Sequence, residues 1–183
     1  MQRASIVPPL RFLFLMWLFF SIEFVFHIDL SFLGIQPRTV SGALGILTAP
    51  LIHGSVQHII SNTFPMLFLG VTLYVFYSRI ANQVFLQCYL FTNFFVWLLA
   101  RDSYHIGASG VVYALAAFLI AMGLFKRDFR SLLISLVVIL IYGGLVYGLF
   151  STDQRISWES HLFGAIVGVG TAWGLSKSRK IPR

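Results

Sequence analysis

Six long apolar stretches, at about 10–28, 57–77, 83–100, 109–125, 131–150 and 158–175, take up most of this 183-residue chain. Each approaches the roughly 20 residues needed to cross about 30 Å of hydrocarbon. With 58% hydrophobic and 10% charged residues, and a mean hydropathy of +0.85, too little polar surface remains to keep such a chain in water. The pattern predicts an all-α membrane protein of six transmembrane helices. It is read as a single domain over 1–183, with its core at about 10–175, because no internal repeat, Pro-rich linker or low-complexity block interrupts it. The first run follows Arg3 and Arg11 as a secretory signal would. It is longer than the usual signal core and no small-x-small cleavage site follows, so it is read as an uncleaved first span.

The net charge of +7 does not mark a nucleic-acid partner, because the basic residues sit between apolar runs and at the chain ends. With the N-terminus cytoplasmic, ten of the 13 Lys and Arg residues fall inside, and only Arg38, Arg101 and Arg155 fall outside. That bias predicts that both termini face the cytoplasm. The first external loop, 29–56, mixes Gly, Pro and Ser with Leu44, Ile46, Leu47 and Leu51, and is expected to lie in the membrane interface. The single cysteine, Cys88, permits no internal disulfide and reads as a packing residue.

Polar groups within the apolar runs carry the functional information, since each is costly in hydrocarbon. All five histidines, His27, His53, His58, His105 and His161, fall toward the outer side. His58 and Asn62 are four apart and share one helical face, which fits either polar bonding between helices or a site. The spacing is not that of a His-Glu-x-x-His zinc motif, so no metal and no cofactor is expected. Pro65 is expected to kink this segment. The fourth run is short between polar Arg101–Tyr104 and the Lys126-Arg127 pair. Its helix should therefore begin within the membrane, placing Ser109 of Gly107-Ala108-Ser109-Gly110 at or near a helix start. That motif alone fits a serine N-cap as well as a nucleophile.

In the sixth run His161 precedes Gly164 and Gly168, while the fourth carries Gly110, Ala114, Ala117 and Ala121. Two such small-residue faces predict helices packed backbone to backbone, with Ser109 and His161 at one depth. Val167 is expected to point away from this contact. Glu23, within the first span, is expected to bond a neighbouring helix or loop.

The ordered set resembles the rhomboid family of intramembrane proteases: His53, His58 and Asn62, then Gly107-Ala108-Ser109-Gly110, then His161 with Gly164 and Gly168. The loop Gly34-Ile35-Gln36-Pro37-Arg38 resembles its bacterial members. The resemblance implies a rhomboid-like bundle with a short, embedded fourth helix. It implies a serine endopeptidase in which Ser109 is the nucleophile and His161 the general base, without an acidic third member. His58 and Asn62, with the Ser109 N–H, would form the oxyanion hole. Tyr113 would stack on His161, Gly107 would keep the loop open, and His53 would support the site. The fifth run would be a lateral gate for transmembrane protein substrates entering from the lipid bilayer. Two family features are missing: a Trp-Arg pair in the first loop, and a third histidine where Ala49 stands. A catalytically silent relative that binds membrane proteins, and a small transporter, are the alternative functions; the silent relatives lack the serine or the histidine, and a transporter would favour repeats that are absent here.

Overall fold

The computed structural model describes residues 5–153 and 156–177. Arg3, Arg155, Arg179, Lys180 and Arg183, which enter the charge argument, lie outside the described residues. Helix α1 (Val7–Phe26) leads into two single turns, α2 (Val40–Ala43) and α3 (Gly45–Thr48), within the first loop. Five long helices follow: α4 (Val56–Phe76), α5 (Ala81–Leu99), α6 (Ser109–Lys126), α7 (Phe129–Tyr142) and α8 (Trp158–Ser176). Among the described residues there is no strand, only one antiparallel bridge between Ile35 and His105. This is an all-helical membrane bundle.

Helices α1, α4 and α6, and the stretch Phe129–Phe150, are long and apolar enough to cross a bilayer by length and composition alone. Helices α5 and α8 have 19 residues each, about 28 Å at 1.5 Å per residue. Their hydropathy is diluted by Asn82, Gln83, Gln87 and Asn93, and by Glu159, Ser160 and His161. Several of these polar groups bond within the protein. Asn93 Nδ2 donates to the Ile46 carbonyl at 3.1 Å, and Asn82 accepts from the Tyr74 hydroxyl at 2.9 Å.

Local sequence sets the helix starts. Ser55, Asp128 and Ser157 cap α4, α7 and α8 by accepting the N–H of the residue three positions on. Two prolines open α1, where a missing N–H costs nothing. Helix α6 differs: its N-cap is Ala108, with no side-chain cap. Ser109 is therefore the first helical residue rather than the cap. Helix α4 continues through Pro65 without a break in assignment.

The fifth apolar run departs from expectation. It is not one helix to residue 150. Regular α-helix ends at Tyr142, and Gly143–Phe150 continue as a 3₁₀-helix. Gly143, Gly144 and Gly148 make this stretch a poor α-former. It is short of packing neighbours too, with Tyr147 and Phe150 exposed.

Helix α6 is the central element. Phe118, Leu115, Leu119 and Met122 are fully buried within a core shared with Met66, Leu69 and Leu73 of α4. Helix α6 meets α8 backbone to backbone: a Cβ at Gly164 would overlap the Gly110 carbonyl, and one at Gly168 the Ala114 carbonyl. The small faces meet as expected for their first two steps. The next α6 backbone beside Gly168 is that of Phe118, not Ala117. Val167, expected to point outward, is buried. Its position one residue before Gly168 turns it toward the bundle's flank rather than to lipid. Cys88 is a buried packing residue, and Glu23 Oε1 accepts the Leu30 N–H at 3.1 Å, bonding the following loop.

The two glycine pairs of α8 separate packing from propensity. Gly168→Ala should destabilise by about 1–3 kcal/mol, because the added carbon meets backbone that has no room to move. Gly170→Ala, where a Cβ meets nothing within 4 Å, should leave stability within about 1 kcal/mol of the parent. Thermal unfolding in detergent measures both; equal midpoints for the two variants would mean that the α6–α8 seam is not close-packed.

Candidate active site

The segment between α5 and α6 is hung from the first loop by backbone bonds. Ile35 and His105 exchange two N–H···O bonds of 2.9 Å, and Gly107 N–H donates to Ala49 at 2.9 Å. The first loop is itself pinned to α5. Tyr89 and Trp97 donate to the carbonyls of Leu47 and Thr39, and the Arg38 guanidinium donates to Ala100. Irregular backbone at membrane depth needs such partners. Arg38, at φ 59°, also donates its N–H to Trp97, so this loop is anchored without the Trp-Arg pair.

Gly107 sits at φ +100°, a conformation that disfavours side chains, and a Cβ there would run into the His58 ring. The Nε2–Cε1 edge of His58 thus lies against the loop carrying Ser109. His53 lies behind it, with ring centroids 4.9 Å apart. Burial first, and then His58, push the His53 pKa down to about 3, so His53 is neutral. Its Nδ1 faces the Leu51 carbonyl at 3.3 Å and carries the proton; its Nε2 accepts the Ala108 N–H at 3.4 Å. A bond to the residue preceding Ser109 fixes where α6 begins.

Ser109 Oγ lies 3.0 Å from His161 Nε2. His161 Nδ1 lies 2.9 Å from the Gly148 carbonyl, which can only accept. Nδ1 therefore carries the ring proton. Nε2 presents its lone pair to the serine hydroxyl, which donates. The Tyr113 ring stacks on His161 at 4.1 Å and 4°, and its hydroxyl donates to the Leu145 carbonyl at 2.6 Å. One face and one edge of the imidazole are thus fixed. Chemically this is a hydroxyl poised against an oriented base, beside a helix start whose N–H groups no side chain caps.

The expected residues assemble unevenly. Ser109, His161 and Tyr113 form one group, and His53, His58 and Gly107 adjoin it through the loop. Asn62 is buried one turn beyond His58, but its amide donates to the His58 carbonyl at 3.0 Å. His27 is exposed at the end of α1 and joins no part of this site. The carbonyls of Gly148 and Leu145 were missed by sequence reasoning. The only sign of them is the run of glycines ending the fifth segment, since a backbone carbonyl leaves no mark in residue type. A groove of about 630 Å³ between α5 and α8, lined by Gln83, Gln87, Gly170 and Gly174 among others, does not include these residues.

The chain is similar to known proteins over most of its length. The Rhomboid domain family model matches residues 41–178. An uncharacterized protein of Mycobacterium tuberculosis is 32% identical over 167 residues, covering 82% of this chain and 66% of its own length. An uncharacterized protein of Mycobacterium leprae is 31% identical, covering 97% of this chain and 74% of its own. The chloroplastic rhomboid-like protein 11 of Arabidopsis thaliana is 31% identical over 158 residues, covering 72% of this chain and 52% of its own. The chain thus spans just under two thirds of the first of these relatives. With the domain match covering α2 to the end of α8, this chain belongs to the rhomboid family.

Proposed function

We propose that this chain is an intramembrane serine endopeptidase that hydrolyses a peptide bond in or near a transmembrane segment of a membrane-protein substrate. The observation that carries the reading is the 3.0 Å contact between Ser109 Oγ and a His161 whose Nδ1 proton is committed to a carbonyl. In this reading His161 Nε2 takes the Ser109 proton as Oγ bonds to the scissile carbonyl carbon. The tetrahedral intermediate then loses its amine, which receives the proton from Nε2, leaving an acyl-serine. Water attacks the ester by the same route in reverse and releases the acid. Tyr113 and the Gly148 carbonyl hold the ring in place of an aspartate. Membership of a family with proteolytic members supports the reading.

The oxyanion forming on the substrate needs donors. The uncapped start of α6 supplies backbone N–H groups, and His58, against Gly107, supplies a ring edge. Asn62 donates one amide hydrogen to the His58 carbonyl and keeps the second to offer to the oxyanion. The natural partners are single-span substrates delivered through the lipid bilayer, with the fifth segment as their entry. The protein would sit in a bacterial inner membrane with both termini cytoplasmic, as one rhomboid domain.

Purified protein in detergent should label at Ser109 with a fluorophosphonate. Ser109→Ala and His161→Ala should abolish both labelling and cleavage of a model single-span substrate while still folding. Cleavage by Ser109→Ala at the parental rate would refute the protease reading, and a folded parent inert to probe and substrate would favour a silent binder.

His58→Ala and Asn62→Ala should retain cleavage. Loss of one oxyanion donor costs about 10²–10³ in turnover, and with several donors present the His58 effect should fall at or below that range. Asn62, with one amide hydrogen still to donate, should fall in the same range. Changes confined to KM in both would remove them from the site.

For orientation, a cysteine at Thr152 should react with an impermeant reagent in intact right-side-out cells, and one at Ser78 should not, both in a Cys88→Ser background. The reverse pattern would invert the topology.

A further inference from the structure

Outside the Ser109–His161 pair, a second polar cluster joins the same two elements. His105, four residues before Ser109, is buried, and its Nδ1 lies 2.6 Å from Ser157 Oγ, four residues before His161. Its Nε2 faces the Arg101 carbonyl at 3.1 Å. That carbonyl can only accept, so Nε2 carries the proton and Nδ1 accepts from the Ser157 hydroxyl. Ser157 Oγ is then free to accept from Ser160 Oγ, at 2.6 Å. Alongside runs an ion pair, Arg101 Nε to the buried Glu159 at 3.5 Å. The Arg101 guanidinium also donates to the Ile156 carbonyl at 2.8 Å. Three contacts therefore bind the loop 100–108 to residues 156–159 at the start of α8.

We infer that His105 and Ser157 form a clasp that positions the nucleophile against the base. The inference rests on the protease reading above. Ser157 caps α8 through Ser160 N–H, and its carbonyl receives the His161 N–H at 3.4 Å. His105 is tied by its backbone to Ile35 of the first loop. One hydrogen bond thus links the first loop, the serine loop and the histidine helix. The small-residue seam begins only beyond it, at Gly110 and Gly164. Packing of the seam fixes the spacing of the helices; the clasp fixes the register of their outer ends, where the reacting atoms sit. Neither residue touches the reacting groups, so both are positioning residues. A 1 Å misplacement of reacting groups is enough to slow chemistry about 10²-fold.

The test is a double-mutant cycle on the full chain in detergent. His105→Phe keeps ring volume and backbone pairing but removes both ring bonds. Ser157→Gly removes the hydroxyl at a cap position that glycine tolerates well. Ser157→Thr keeps both cap and hydroxyl. Each of the first two should lower kcat and the rate of Ser109 phosphonylation by about 10-fold to 10²-fold, with KM within about twofold. The double variant should be slower than the worse single by much less than the product of the two losses, because both remove the shared His105–Ser157 bond. Ser157→Thr should recover most of the rate. If His105→Phe does not fold, the Ser157→Gly and Ser157→Thr comparison decides alone. Additive losses, a loss confined to KM, or a Thr variant as slow as Gly would overturn the clasp. A wild-type protein that does not label at Ser109 overturns the protease reading and the positioning role with it, while non-additive thermal midpoints would still report the bond itself.

Discussion

The approach of α6 and α8 to backbone contact is the constraint on which the rest of the structure depends. In hydrocarbon, helices gain nothing by hiding apolar side chains from water, so association comes from close packing and polar bonds. Gly164 and Gly168 let the carbonyls of Gly110 and Ala114 come within contact of the facing backbone. Ser109 begins one helix and His161 lies in the first turn of the other. Once the seam closes, both side chains stand at the same depth. The other elements serve this pair: α4 and α7 wrap the remaining faces of α6, and α5 braces both the first loop and α8.

A second constraint acts at the outer ends, where the chain leaves helical geometry while still deep in protein. Every exposed N–H or C=O there needs a partner. The first loop finds them in Tyr89, Asn93 and Trp97 of α5. The serine loop finds them in Ile35, Ala49 and His53. Satisfying the backbone therefore also builds a cradle in which Ser109 sits at a helix start that no side chain caps. The imidazole is oriented in the same currency. An uncharged carbonyl of the 3₁₀ segment accepts from the His161 ring, so no further charge is placed beside it in a low-dielectric site.

Much of this was legible in the residues. The six runs, the start of the fourth helix at Ser109, the small faces and the Ser109–His161 pairing all follow from period, spacing and the cost of polar groups in lipid. Tyr113 and His53 came only with the family resemblance, and the geometry now gives them partners. What escaped is of one physical kind. The end of the fifth helix at Tyr142 and the burial of Val167 depend on neighbours distant in sequence. The roles of Gly148 and Leu145 rest on main-chain atoms that every residue possesses.

The sequence by itself determined that this chain is a helical membrane protein with a serine and a histidine beside two small-residue faces. Hydrophobic run length and residue size are local properties, and they suffice for that. Only the tertiary structure decided which nitrogen of His161 meets Ser109, which carbonyls hold the ring, and that His105 faces Ser157 across 52 positions of chain. Hydrogen-bond direction and tautomer are set by the partner that arrives in space, and no spacing along the chain encodes that partner.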